Sequence, residues 1–360
     1  MSDTKKFNFN KAIEELDQAN NIGSIEQLGD QVQHIWKLAK EITFDESYQD
    51  IDKVVVAGMG GSALGTHVIQ TVFKDELKVP VIVCSDYSLP SYVDERTLVV
   101  ASSYSGNTEE TLSAIQDGIG KKAKITGITA GGKLVKLLQE NGYPVLAFEA
   151  KHNPSNSPRM ALGYSIFGQM SLFSQIGLLP ITQEDYQQVL ASIAKLQMSL
   201  SRHVEQEENL AKLLAFNFVE RQPIITASEH LEGVSHVFAN QINENSKTYA
   251  EFRVVPEINH HLMEGLQFPT ANESNLFFLT LHSDLYLESN QKRIDLTEQV
   301  LEKNHISFLS YQLQAPSKIA QAFELVLLGS YTSYYLAMIN NQDPTPNPWV
   351  DWFKSELKKD

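Results

Sequence analysis

Two periodicities alternate along this chain. Short apolar runs rich in β-branched residues occupy residues 53–58, 79–85, 96–102, 123–129 and 144–148, and helical or loop segments separate them. Strands that are apolar on both faces and spaced by helices form a parallel sheet with right-handed crossovers. The series recurs further on: after a helical stretch over about 158–215, broken at a candidate hinge at 177–180, residues 223–228, 249–255, 276–281 and 306–313 read as strands. Helical spacing predicts helices over 231–247 and about 287–304, then a long apolar helix over about 317–341 and a proline-rich tail. Upstream, about 10–20 and 24–42 read as two helices lying across the first core, with Gly23 and Ser24 as a stop and a new cap. The expected class is therefore α/β, with two flavodoxin-like parallel-sheet domains and flanking helices. The boundaries read as a helical segment at 1–46, domains at 47–180 and 181–342, and a tail at 343–360. Ligands in such sheets sit at the carboxyl ends of the strands and between the halves.

The chemistry concentrates behind the third run, in Ser102-Ser-Tyr-Ser-Gly-Asn-Thr-Glu-Glu-Thr111. This reads as a strand end, a polar turn and a helix start, with Asn107 or Thr108 as the cap and Glu110 or Thr111 just inside. Gly106 lets the backbone approach a ligand. An ordinary capped turn needs one hydroxyl, whereas Ser102, Ser103, Ser105 and Thr108 supply four at a positive helix end, which suits a phosphate or another oxyanion.

Two other glycine patterns compete. Gly58-Met-Gly60-Gly-Ser-Ala63 follows a strand and fits a dinucleotide fingerprint, with Asp86 as the ribose-binding acid, although that acid comes late. Gly127-Ile-Thr-Ala-Gly-Gly-Lys133 has the spacing of a P-loop, but Leu134 stands where magnesium needs a hydroxyl. The turn at Gly60, Gly61 and Ser62, beside residues 103–108, instead suggests one small phosphate ester held between neighbouring strands.

Charge narrows the partners. Of the 360 residues, 29 are Lys or Arg and 44 Asp or Glu, a formal net charge of −15, which repels nucleic acid and anionic membranes. An anionic substrate must then meet a local positive site. The first residues show no signal-type apolar core and no uninterrupted apolar run reaches membrane-span length, so a soluble cytoplasmic protein is expected. A single cysteine, Cys84, excludes an internal disulfide and a multi-thiolate metal site. His230 and His236 with Glu232 do not match a zinc-binding spacing, and no metal and no cofactor are expected.

Gly58-Met-Gly-Gly-Ser62 paired with Ser103-Tyr-Ser-Gly-Asn-Thr108 resembles the sugar isomerase (SIS) domain, a flavodoxin-like module that binds phosphosugars. Asn243-Glu-Asn-Ser-Lys247, Pro256-Glu-Ile-Asn-His-His261 with Gly265, and Pro158-Arg-Met-Ala161 are similar to the bacterial and archaeal bifunctional phosphoglucose/phosphomannose isomerases. The likeness runs over about 54–354. It implies an isomerase that opens a hexose phosphate ring, carries a proton between C1 and C2, and stabilises an enediolate. A carboxylate suits the transfer, and the resemblance makes Glu244 that base, with Asn243 and Asn245 able to hold it. It further makes Arg159 the enediolate's positive partner and His260 the ring-opening acid/base, His261 replacing the usual Asn. Lys354, with Lys358 and Lys359 close behind, joins ring opening. Phosphate is expected at Gly61, Ser62, Ser103, Ser105 and Thr108. The resemblance also implies a homodimer with shared sites, because the histidine reaches the neighbouring subunit. The resemblance implies a threonine one or two turns before the lysine in members that accept mannose 6-phosphate; the position seven before Lys354 is Asn347, with Thr345 two residues earlier, which puts that acceptance in question. The rival readings are an isomerase of another sugar phosphate and a phosphosugar-binding regulator, though no basic helix-turn-helix segment is visible.

Overall fold

The computed structural model describes residues 7–357 and 359, so the reading of the first six residues and the Lys358 alternative lie outside it. β1 (Lys53–Gly58), β2 (Val81–Cys84), β3 (Thr97–Ser102), β4 (Lys124–Thr129) and β5 (Val145–Ala147) form an all-parallel sheet ordered β2-β1-β3-β4-β5. That is the flavodoxin-like order, with its switch point between β1 and β3. β6 (Gln222–Ser228), β7 (Glu251–Val255), β8 (Leu276–His282) and β9 (Ser307–Gln312) form a second parallel sheet ordered β7-β6-β8-β9, the same order short of one strand.

One apolar cluster joins the inner faces of both sheets, while smaller clusters cover their outer faces. The Lys318–Ile339 helix runs through the shared core and is buried from Ile319 to Met338. By length and composition it could cross a membrane, yet 94% of its apolar window lies inside the protein. Its polar residues explain why it belongs in a core. Glu324 accepts from the Tyr311 hydroxyl at 2.7 Å and the backbone N–H of Ala315 at 2.7 Å, and Gln321 Nε2 donates to the Ala315 carbonyl at 3.0 Å. Groups so paired can be buried at little cost.

The amino-terminal helices depart from expectation. Gly23 lies inside a helix, Asn21–Glu26, and does not end one. Asn20, in the left-handed conformation, accepts from Gly23 N–H, and the Asp17 carboxylate accepts from Asn21 N at 2.7 Å and Ile22 N at 2.9 Å. These start signals outweigh the roughly 1 kcal/mol that an interior glycine costs. The helices at Phe9–Leu16 and Leu28–Ala39 add Phe9, Val32, Ile35 and Trp36 to the shared core, and Arg202 pairs with Glu26 at 2.8 Å. The 158–215 stretch is several pieces, with Gly177 in a left-handed cap at the expected break. The tail forms a helix, Pro348–Glu356, with Pro348 in its first turn, where a missing N–H costs nothing.

Candidate active site

Register brings the two phosphate-type turns together. Gly58 pairs with Ser102 at the carboxyl ends of β1 and β3, so the turns that follow both strands open on the switch point. Ser102 Oγ donates to the Ser62 carbonyl at 2.7 Å, Tyr104 N to Ser62 Oγ at 3.2 Å, and the buried Gln169 Nε2 bridges the Ser62 carbonyl and Ser102 Oγ at 2.8 and 3.0 Å. The turns therefore form one rigid cradle. Gly61 opens the Gly61–Val72 helix, and a Cβ placed there would meet nothing within 4 Å, so free space stands above the helix end. Ser103 and Thr108 hydroxyls lie 2.8 Å apart, and Ser105 is exposed. Thr108 occupies the cap position of the Glu109–Gly120 helix without capping it, because its hydroxyl is spent on Ser103.

The rival glycine motif has a structural use. Gly131 and Gly132 start the Gly132–Glu140 helix, whose Leu134 N donates to the Gly106 carbonyl at 2.9 Å and Lys133 N to Asn107 Oδ1 at 3.2 Å. That helix end is filled by the hydroxyl-rich turn. Asp86 is exposed and accepts from the neighbouring Tyr87 N at 2.6 Å.

The second sheet delivers Glu244. The Glu232–Gln241 helix crosses the Gly61–Val72 helix closely: a Cβ on Gly233 would fall 2.2 Å from the His67 carbonyl, and Gly233 N donates to Thr71 Oγ1 at 3.3 Å. The His67 and His236 ring centroids are 5.0 Å apart. The two helices are thus antiparallel, and at about 1.5 Å per residue the end of one reaches the start of the other. Glu244 lies at that end, half-buried in a π-helical turn, Ile242–Ser246. Turns of this kind recur at functional sites.

Its neighbours act differently from expectation. Asn243 Nδ2 donates to the Ala239 and Ala250 carbonyls, both at 2.8 Å; Asn245 donates to Ser333 Oγ at 2.9 Å and accepts from Arg159 Nε at 3.0 Å. Neither reaches the carboxylate, because successive side chains on a helix diverge. Arg159 Nη2 donates to the Pro344 and Thr345 carbonyls. Burial lowers the pKa of this guanidinium, while Glu244, Asp343 and Asp351 oppose that effect. The side-chain amide of Asn347 lies beside both charged groups but serves one at a time: in one orientation Nδ2 is 3.4 Å from Glu244 Oε2, and in the other its oxygen accepts from Arg159 Nη1 at 3.1 Å while its nitrogen donates to the Pro346 carbonyl at 3.1 Å. Thr345 instead accepts from Asn21 Nδ2 at 2.7 Å. Lys247 closes the turn, with Nζ donating to the Glu244 main-chain carbonyl at 2.6 Å; burial first, then Arg159, pulls its ammonium down to about 8 against Asp343 and Glu244. The sequence held Lys247 inside the Asn-Glu-Asn signature but assigned it no role.

One expected residue stands apart from Glu244 within the chain. Glu244 precedes β7 and His260 follows β7, so the five residues of that strand separate them, about 15 Å of backbone. The His260 side chain is exposed and makes no hydrogen bond among the described residues; His261 Nε2 lies 2.7 Å from Glu257. Lys354 is exposed on the Pro348–Glu356 helix. His230 and His236 diverge, His230 to Gln321 at 2.8 Å and His236 stacked on Phe252.

A cradle at the switch point of one sheet, closed by a helix end from a second sheet of the same order, defines a double SIS-type α/β protein. A Thermus thermophilus structure titled a hypothetical protein shares this fold, with a TM-score of 0.76 at 15% identity over 97% of this chain and 92% of that one. The family model for the bacterial phospho-glucose isomerase C-terminal SIS domain matches residues 207–357. A bifunctional phosphoglucose/phosphomannose isomerase of Caldicellulosiruptor bescii is 38% identical over 93% of this chain and 98% of its own, and one of Thermoplasma acidophilum is 32% identical over 89% and 95%. The chain belongs to the bifunctional phosphoglucose/phosphomannose isomerase family.

Proposed function

We propose that this protein interconverts glucose 6-phosphate and mannose 6-phosphate with fructose 6-phosphate through a shared cis-enediolate. The observation that carries the reading is the approach of Glu244, Arg159 and Asn347 to one another at the end of a helix whose crossing at Gly233 directs it toward the Gly61 helix end. The phosphate sits at Gly61, Ser62, Ser103, Ser105 and Thr108, which leaves C1 and C2 toward Glu244. Glu244 takes the proton from C2 of the open aldose and returns it to C1 while a hydroxyl proton passes from O2 to O1, so atoms balance within the sugar and no cofactor takes part. Arg159 supplies fixed positive charge where the enediolate develops. Asn347 occupies the place from which a side chain steers the two faces of the enediol.

Ring opening needs His260 and Lys354. Because β7 separates Glu244 from His260 within one chain, the reading pairs Glu244 of one subunit with the histidine of a second copy, and the active species is a homodimer. An enzyme acting on charged sugar phosphates, which do not cross membranes unaided, belongs in the cytoplasm.

The test is conversion of fructose 6-phosphate by the purified protein without added metal, with each aldose detected by its own coupled assay. Both products are expected, and Glu244→Gln should abolish turnover while calorimetry still detects sugar phosphate binding. A bound phosphosugar that yields neither aldose would sink this reading in favour of another sugar or a sensing role.

A further inference from the structure

Lys247 is a charged group at this site that the proton transfer above does not use, and its geometry is specific. It follows the π-helical turn in a left-handed conformation (φ +57), which folds its side chain back under Glu244. Nζ donates to the main-chain carbonyl of Glu244 at 2.6 Å and to that of Pro344 at 3.2 Å, and lies 3.5 Å from the side-chain amide of Asn347. Carbonyls at a helix end have no partner within the helix, so an ammonium there both satisfies and fixes the turn. The Pro344 carbonyl is shared with Arg159, so two cations hold the tail at the point where it delivers Asn347 to the Glu244 carboxylate.

We infer that Lys247 is a positioning residue for the isomerisation: its ammonium ties the turn that carries Glu244 to the tail that carries Asn347, and so holds carboxylate and amide in register. The inference rests on the reading of Glu244 as the base. The charged groups facing Lys247 are Arg159, which disfavours its protonation, and Asp343 and Glu244, which favour it; the residue as a whole is exposed, but desolvation of the ammonium where it meets the two carbonyls is the largest influence and lowers it to about 8. Rising pH therefore removes the charge and one of three donors just above neutrality, and the tie loosens.

The experiment is steady-state kinetics on fructose 6-phosphate from pH 6.5 to 9.5 for the wild type, Lys247→Met, Lys247→Arg and Glu244→Gln. The wild-type kcat should fall on the alkaline side with an apparent pKa near 8. Lys247→Met should lower kcat about 10- to 100-fold at pH 7 with KM changed less than about threefold, since it breaks a charged hydrogen bond outside the phosphate cradle. Lys247→Arg should keep most of kcat and lose the alkaline fall, because a guanidinium stays charged throughout. Full kcat in Lys247→Met beside an inactive Glu244→Gln overturns the inference and leaves the base in place. A loss confined to KM overturns it too, since Lys247 would then be holding substrate. An active Glu244→Gln overturns the reading beneath it. Should Lys247→Met fail to fold, the alkaline limb, present in the wild type and absent in Lys247→Arg, still decides; the same limb in both proteins refutes the inference.

Discussion

Gly106→Ala should damage stability and substrate binding together, and the structure indicates by how much. Gly106 has φ +64, and a Cβ there would fall 1.8 Å from the Gly131 carbonyl oxygen and 2.9 Å from Thr129 Oγ1. The left-handed backbone alone costs an alanine about 1–2 kcal/mol. No rearrangement of a flexible side chain relieves the clash, because the nearest atoms are backbone. The hydroxyl-rich turn must lift away from the Gly131–Gly132 turn, which breaks Leu134 N to Gly106 O (2.9 Å), Ala130 N to Tyr104 O (3.0 Å) and Lys133 N to Asn107 Oδ1 (3.2 Å). At about 1 kcal/mol for each of the three hydrogen bonds, the total reaches about 4–5 kcal/mol. Against a typical stability of about 5–15 kcal/mol this is a large share. The lifted turn carries Ser103, Ser105 and Thr108, so KM for fructose 6-phosphate should rise at least about 10-fold. Gly142→Ala is the control: Gly142 has φ +72 with nothing within 4 Å of a Cβ, so it should cost only about 1–2 kcal/mol and leave KM alone. Urea melts and initial rates measure both quantities. If Gly106→Ala behaves like Gly142→Ala, the clash argument and the placement of the cradle fail together.

Three further outcomes are expected. Mixing inactive Glu244→Gln with inactive His260→Ala and re-equilibrating the subunits should recover about a quarter of wild-type activity, since half the random dimers carry one intact shared site; a mixture that stays inactive refutes sharing. Asn347→Thr should raise the ratio of mannose 6-phosphate to glucose 6-phosphate formed from fructose 6-phosphate, and an unchanged ratio would remove Asn347 from epimer control. His282 is held above its ordinary pKa, first by its 2.7 Å hydrogen bond to Glu298, so its stabilisation is complete below the unfolded histidine pKa and fades as pH rises through the folded one. Urea melts should therefore separate the wild type from His282→Gln more widely at pH 5.5 than at pH 8.5, and the reverse order would refute the assignment.

Local patterning determined much of this protein. Every strand forms within two residues of where its apolar run predicts; for β1, β3, β4, β6 and β8 an apolar run covered on both faces has few alternatives, and the two hydroxyl and glycine turns follow directly from strand ends that lie side by side. The signature residues Arg159, Glu244 and Asn347 were likewise visible as a pattern. Their partnership was not, because it depends on an antiparallel helix crossing that only Gly233 permits and on a tail that folds back about a hundred residues to reach the turn. The same is true of Lys247, whose role comes from a left-handed backbone and from carbonyls distant in sequence. Local periodicity reports which face of an element is buried. Which two elements meet end to end, and therefore which charges share a site, is set by the packing of both sheets around the Lys318–Ile339 helix.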